Sequence, residues 1–334
     1  MKEHMNVPVF IPHLGCGHSC AFCSQRSVTN VQAAPSPESV AFSVREMLST
    51  RGGKTAEIAF FGGSFTGIPK EEQKAYLMAV QPFLERGEAE SIRVSTRPDY
   101  IDPETVAFLK AYGVKTVELG AQSMSDKVLA ACNRGHTAAD TAYAADCIHD
   151  GGLTLGLQMM TGLPLSTKED EAYTASCFVK LGASIARIYP TVVFYDTPLY
   201  QSMLMGEYTP PSEEETVDRA AKALSILEDG GVHVIRIGLQ ETETLGQKSA
   251  GGAYHPAMGE KIRARVLRDK TEKAILLLSG NAFILQCPEK MTSRLLGHKR
   301  ENILYLEEKY KIKLTLMRGE SCAVSDGKNK VALL

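Results

Sequence analysis

Along the first two thirds of the chain, short apolar runs alternate with longer stretches whose apolar residues recur every three or four positions. The runs are VPVFI (7–11), EIAFF (57–61), SIRVS (91–95), KTVEL (115–119), LTLGL (153–157) and IARIY (185–189), with HVIRI (233–237) a candidate seventh. Runs of this length, rich in Val and Ile and bounded by turn residues, predict strands. The stretches between them carry helix signals. Ser36-Pro37 opens a segment whose Val40, Val44, Met47 and Leu48 share one face. Asp102-Pro103 opens a second, closed by Gly113; Thr137 opens a third and Ser166 a fourth. Strand alternating with helix predicts an α/β fold with parallel strands and right-handed crossovers. Six units make a partial (β/α)6 barrel, and a doubly wound open sheet would use the same units. In both, chemistry belongs at the C-terminal ends of the strands.

Near residue 255 the alternation stops, and AYHPAMG (253–259) reads as a linker. A helix, the strand FILQCP (283–288), the helix EKMTSRLLG, a basic HKR loop, the helix ENILYLEEKY and the strand IKLTLM (312–317) follow. The expected organisation is therefore a barrel over residues 1–254 and a small α+β module over 255–334. Charge sharpens that division. The net charge of −2 conceals fourteen Lys and Arg against seven Asp and Glu between residues 260 and 318, on an otherwise acidic chain. A basic module suits an anionic partner. The chain has no apolar run near the ~20 residues that cross a bilayer, so no membrane partner is expected. The N-terminus MKEHMNVPVF has no signal-peptide core, so a cytoplasmic location is expected.

In that reducing compartment the eight cysteines are not expected to pair as disulfides. Three of them, Cys16, Cys20 and Cys23, fall within LGCGHSCAFCSQ (14–25), directly after the first predicted strand. Thiolates bind soft metals and iron–sulfur clusters, and closed structural sites take four ligands. Three thiolates on a four-iron cube would leave one iron open to a small molecule. Zinc held with His13 or His18 as fourth ligand is the alternative. The remaining cysteines are too scattered for a second cluster.

C-x3-C-x2-C with Phe22 before the last cysteine resembles the signature of the radical S-adenosylmethionine (radical SAM) superfamily. The resemblance implies a [4Fe-4S] cluster on Cys16, Cys20 and Cys23 whose open iron binds S-adenosylmethionine. Reductive cleavage would then give a 5′-deoxyadenosyl radical, with an electron donor as a necessary partner. FFGGSFTGIP (60–69) resembles the glycine-rich motif that meets the methionyl amino group, so Gly62, Gly63 and Ser64 are assigned there. STRPDYID (95–102), VELGAQS (117–123), NRGH (133–136), MMTGLP (159–164) and IYPTVVFYDTPLY (188–200) follow the order of the Elongator catalytic subunit family. Gln122 and Arg134, twelve residues apart, match cofactor contacts shared with the oxygen-independent coproporphyrinogen oxidases. Ser95 and Gln158 stand at ribose-binding positions. Arg97 is either a partner of Asp99 or a cofactor-site residue, and His136 reads as structural. The Elongator subunit's N-terminal extension and acetyltransferase domain are not expected here, nor is acetyl transfer.

SRLLGHKRENILYLEEKYKIKLTL (293–316) resembles the core of a KH RNA-binding module, whose G-x-x-G loop clamps phosphates. Gly297, His298, Lys299 and Arg300 occupy that loop, with Arg300 in place of the second glycine. Three functions follow: a radical enzyme that modifies RNA such as tRNA, a radical enzyme on a small molecule such as a porphyrin, or a non-catalytic cluster protein that binds RNA. Tyr189, Tyr195 and Tyr200 are candidates for the substrate space.

Overall fold

The computed structural model describes residues 4–11, 14–17, 19–24, 34–239 and 245–333. The chain divides into two compact units, Met1–Pro211 with Ile226–Tyr254, and Ser212–Ser225 with His255–Leu334. The helix Glu213–Asp229 contributes to both.

The first unit is built on β1 (His4–Phe10), β2 (Thr55–Phe61), β3 (Ser91–Thr96), β4 (Val114–Gln122), β5 (Thr154–Thr161) and β6 (Ile185–Pro190). After the short β7 (Val192–Phe194), β8 (His233–Ile237) completes a seven-stranded parallel sheet in the order β1-β2-β3-β4-β5-β6-β8. Sequential parallel neighbours joined by helices curl the sheet into an open half barrel, the first of the two folds that the alternation allowed. The seventh run is a strand of this sheet. A separate pair joins β7 to β9 (Ser249–Gly252) antiparallel.

Side chains alternate across each strand with period two. Val9, Ile58, Phe60, Ile92, Val94, Val117, Leu119, Leu155, Leu157 and Ile188 point outward and are buried beneath the helices. Burying a side chain such as Phe60, with no exposure left, is worth roughly 1.5–3 kcal/mol. The alternate positions face the barrel interior, and many are polar: Glu57, Arg93, Glu118, Gln158 and Arg187.

Local chemistry fixes the helix starts. Ser36 Oγ accepts from Ser39 N at 3.3 Å and Asp102 Oδ1 from Thr105 N at 2.7 Å. Thr137 with Asp140 forms a reciprocal capping box. A second box uses Thr167 with Asp170, so the fourth cap is Thr167 rather than Ser166. Ser166 instead donates to Glu171, which also accepts Gly162 N at 2.6 Å and steadies the turn after β5. Each cap is worth about 1 kcal/mol.

In the second unit β10 (Ala282–Cys287) lies between β11 (Lys313–Arg318), parallel to it, and β12 (Ala323–Ser325), antiparallel. β13 (Lys330–Ala332) extends the sheet to the order β11-β10-β12-β13. The helices Met258–Leu276, Thr292–Leu296 and Glu301–Tyr310 bury Leu267, Leu295, Ile303 and Leu306 against Phe283, Leu285 and Val324. Asn302 is buried, and its amide donates to Ala264 O and Leu295 O at 2.9 and 3.2 Å, fixing the turn ahead of the last helix.

Candidate active site

The half barrel encloses a cavity of about 860 Å³. Cys16, Cys20, Phe22, Cys23, Gly62, Gly63, Ser64, Ser95, Gln122, Arg134 and Gln158 all line it, as does Arg97. Residues separated by up to 142 positions in sequence therefore meet at one place, at the C-terminal edge of the sheet.

The cysteine loop is held by its backbone. Ala21 N donates to Cys132 O at 3.0 Å, Leu199 N to Ala21 O at 2.9 Å and Asn133 Nδ2 to Ser19 O at 3.1 Å. Phe22 packs against Val128, Cys132 and Leu163 on one side and Leu199 and Tyr208 on the other. Cys132 comes close to the loop through the fold, yet burial pushes its thiol up to about 12, so it stays protonated and is no fourth thiolate.

The glycine-rich turn locks onto the same loop. Ser64 N donates to Leu14 O at 2.8 Å. A Cβ on Gly63 would stand 2.3 Å from Leu14 O and 2.7 Å from Ile11 O. A Cβ on Gly15 would stand 2.1 Å from Ser64 O, and one on Gly67 2.2 Å from Gly15 O. The backbone that needs these glycines close is thus the cysteine loop itself. Gly15 and Gly67 belong to the device and carry no signal beyond being glycines in two adjoining loops. Cys16 Sγ lies 3.7 Å from Ser64 Oγ.

Arg134 is buried beside Cys20. Its Nη1 donates to Cys20 Sγ at 3.1 Å and its Nη2 to Gly120 O at 2.6 Å, while its Nε has no partner among the described residues. Arg97 donates to both oxygens of Asp99 at 2.9 and 2.8 Å, and its buried Nη1 has no partner among the described residues. It is therefore an ion-pair partner that also reaches the cavity wall. Gln122, at φ +65, accepts from Gln158 Nε2 at 3.2 Å. His136 lies behind these arginines, its Nε2 3.2 Å from Ala121 O. Burial first, then Arg134 and Arg97, lower its pKa to about 4, so it is neutral at pH 7.

This donor set fits an anionic cluster with one thiolate per iron. Among the described residues no three His, Cys, Asp or Glu side chains close on a single metal ion. The three thiols instead line one cavity wall, with cationic N–H groups left over for negative charge. His13 and His18, the alternative zinc ligands, lie outside the described residues. Of the tyrosines, Tyr189 lines the cavity; Tyr195 is exposed and stacks edge-on against Tyr200, and neither is among the lining residues.

The strand-borne charges below this edge were not singled out from sequence. Glu118 Oε1 accepts from Arg93 Nη1 at 2.5 Å, and Arg187 Nε donates to Glu118 Oε2 at 2.6 Å. Arg93 Nε also bonds Glu57 at 2.7 Å. Their signal is a single interior-facing charge on each of four largely apolar parallel strands.

Residues 10–176, half of the chain, match the model of the radical SAM superfamily, and residues 183–268 match that of the radical SAM C-terminal domain. A tRNA uridine(34) acetyltransferase of Methanocaldococcus infernus is 28% identical over 51% of this chain and 36% of its own length. The heme chaperone HemW of Bacillus subtilis is 24% identical over 66% of this chain and 60% of its own. The structure of archaeal Methanocaldococcus infernus Elp3 with an N-terminal deletion aligns at a TM-score of 0.64 and 25% identity, covering 80% of this chain and 64% of that one. Coproporphyrinogen III oxidase from Escherichia coli, at 0.50 and 16%, shares the fold over 69% of this chain and 53% of its own. The chain thus spans less than two thirds of each of these relatives. It belongs to the radical SAM superfamily and, as an enzyme of that family, uses a [4Fe-4S] cluster and S-adenosylmethionine.

Proposed function

We propose that this enzyme modifies RNA, tRNA in particular, with the cavity as radical site and the second unit as RNA-binding module. Cys16, Cys20 and Cys23 hold the cluster. Gly62, Gly63, Ser64, Ser95, Gln122, Arg134 and Gln158 hold S-adenosylmethionine. When bound, these groups supply a 5′-deoxyadenosyl radical, given an electron donor. The chain's own part is positional. Phe22 and the interlocked glycines fix the cysteine loop, Arg134 offsets charge at Cys20, and the outward aliphatic layer keeps water from the barrel wall. The reading places the protein in the cytoplasm, where thiols stay reduced.

The observation that carries the RNA reading is the turn Gly297–Arg300. Gly297 has φ +73, and Lys299 and Arg300 have φ +49 and +65, all in the left-handed region. Arg300 thus adopts a backbone conformation that favours glycine. His298, Lys299 and Arg300 are exposed between two helices, where Arg300 N donates to Gly297 O at 3.2 Å. A left-handed turn with cationic side chains suits a phosphate backbone. The relation to tRNA uridine(34) acetyltransferases supports the same substrate class.

The test is tRNA retention against salt. Log K should fall linearly with log salt, and Lys299→Ala with Arg300→Ala should flatten that slope by roughly 1.5–2 while leaving the cluster intact. Equal affinity and slope in the double variant would remove the module from RNA binding.

A further inference from the structure

The charges on the barrel floor do not cancel. Glu57, Arg93, Glu118 and Arg187 form a continuous ion-paired row, two of each sign. Arg236 is a further cation on the same wall. It pairs in register with Arg187 across β6 and β8, after a bulge that returns it to the interior face. Adjacent strands run about 4.8 Å apart, so the two arginines leave the sheet from neighbouring positions. Arg187 uses Nε and Nη2 on Glu118 and Nη1 on Tyr189 Oη, at 2.6, 3.1 and 3.3 Å. Arg236 has one contact among the described residues, Nε to Gly238 O at 3.3 Å, and no carboxylate. Among the described residues its two Nη groups have no partner, which leaves them for a ligand. Tyr189 Oη accepts from Arg187, so its own proton is free to be donated, and the guanidinium polarises it towards donation.

From this geometry we infer that Arg236, assisted by Tyr189, binds an oxyanion, a carboxylate or phosphate ester, carried by a small-molecule co-substrate that enters the radical cavity. An arginine fork matches either group bidentately. Arg187 is level with Gln158 and three residues short of the end of β6. At about 3.3 Å per residue that register lies roughly 10 Å below the end of β6, and Arg236 itself stands one residue short of the end of β8. A small acid reaches that depth, whereas a polymer backbone lies along an edge. The cofactor's own carboxylate has other cationic neighbours, since Arg134 bonds Cys20 and Arg97 lines the same cavity, each with an N–H group unpartnered among the described residues. The inference rests on the cavity being the radical site and is independent of the RNA reading.

The test uses the full chain, anaerobically reconstituted and saturated with S-adenosylmethionine. Thermal midpoints are followed against inorganic phosphate and against malonate at constant ionic strength. At least one probe should stabilise the protein saturably, as linkage requires. Arg236→Gln should weaken that apparent affinity by about tenfold or more and Tyr189→Phe by a few-fold, with Arg236→Lys in between. Cluster absorbance and circular dichroism establish that each variant is folded, and an absent cluster in the wild type would instead count against the cofactor assignment. Equal titrations in wild type and Arg236→Gln would overturn the inference. So would displacement of S-adenosylmethionine by the probes, which would make Arg236 a cofactor contact. Loss of tRNA affinity in Arg236→Gln with unchanged probe affinity would assign the anion to RNA and overturn the small-molecule claim.

Discussion

Replacing Gly63 by Ala adds one methyl group where the cysteine loop and the glycine-rich turn touch. The added carbon would stand 2.3 Å from Leu14 O and 2.7 Å from Ile11 O, both backbone atoms. A carbon and a carbonyl oxygen rest about 3.3 Å apart. The loop must therefore retreat by about 1 Å, and no side-chain rotation relieves it. Two costs follow. Overpacking of this kind destabilises by roughly 1–3 kcal/mol. A 1 Å displacement of the cysteines relative to the rest of the cavity lowers turnover about a hundredfold. Gly87→Ala is the control, because Gly87 has φ +65 but nothing within 4 Å of its missing Cβ. It should lose about 1 kcal/mol through backbone strain alone and keep its activity. Urea unfolding reads the first cost and 5′-deoxyadenosine release the second, with iron and sulfide content as the check on cluster loading. If Gly63→Ala released 5′-deoxyadenosine at the wild-type rate with a full cluster, the interlock would have no role in positioning.

Glu118→Gln leaves Arg187 buried without its carboxylate and should cost about 3–5 kcal/mol by urea unfolding; pairing it with Arg187→Met should recover much of that, and additive losses would refute the coupling. His136 has a folded pKa of about 4 against an ordinary 6.5, so the unfolded chain binds more protons between these values. Its stabilising contribution is whole above pH 6.5 and declines by about 3 kcal/mol as pH falls to 4; urea midpoints of His136→Gln should show a shallower pH dependence across that window than the wild type. Arg300→Gly relieves a left-handed non-glycine residue and should stabilise the protein by about 1 kcal/mol while weakening tRNA retention; a stabilised variant with unchanged retention would mean that Arg300 touches no phosphate.

The strands and most helix starts were legible because each rests on a local signal, whether an aliphatic run, a capping residue or a closing glycine. Ser166 shows the limit of that signal: two adjacent residues can both cap, and the Glu171 carboxylate decides between them through Gly162. The cysteine loop was legible because its chemistry is written in three thiols of fixed spacing. Gly15, Gly67, Arg187 and Arg236 were not, because their meaning lies in what stands opposite them. A glycine in a loop announces freedom, but only the fold shows that Leu14 O or Ser64 O fills the space. The interior charges contradict the aliphatic character of parallel strands, and that contradiction was itself a readable sign of a lined cavity.

The second unit is discontinuous in sequence, being completed by Ser212–Ser225 from before β8. Within it Glu213 pairs with Lys261 and Asp218 with Arg265, so residues 255–334 alone would leave the long helix short of both partners. A fragment cut at the linker would be an incomplete body, and its failure to hold nucleic acid would say nothing about the intact enzyme. Excision experiments on this protein must begin at Ser212 or earlier, or graft that helical segment back on.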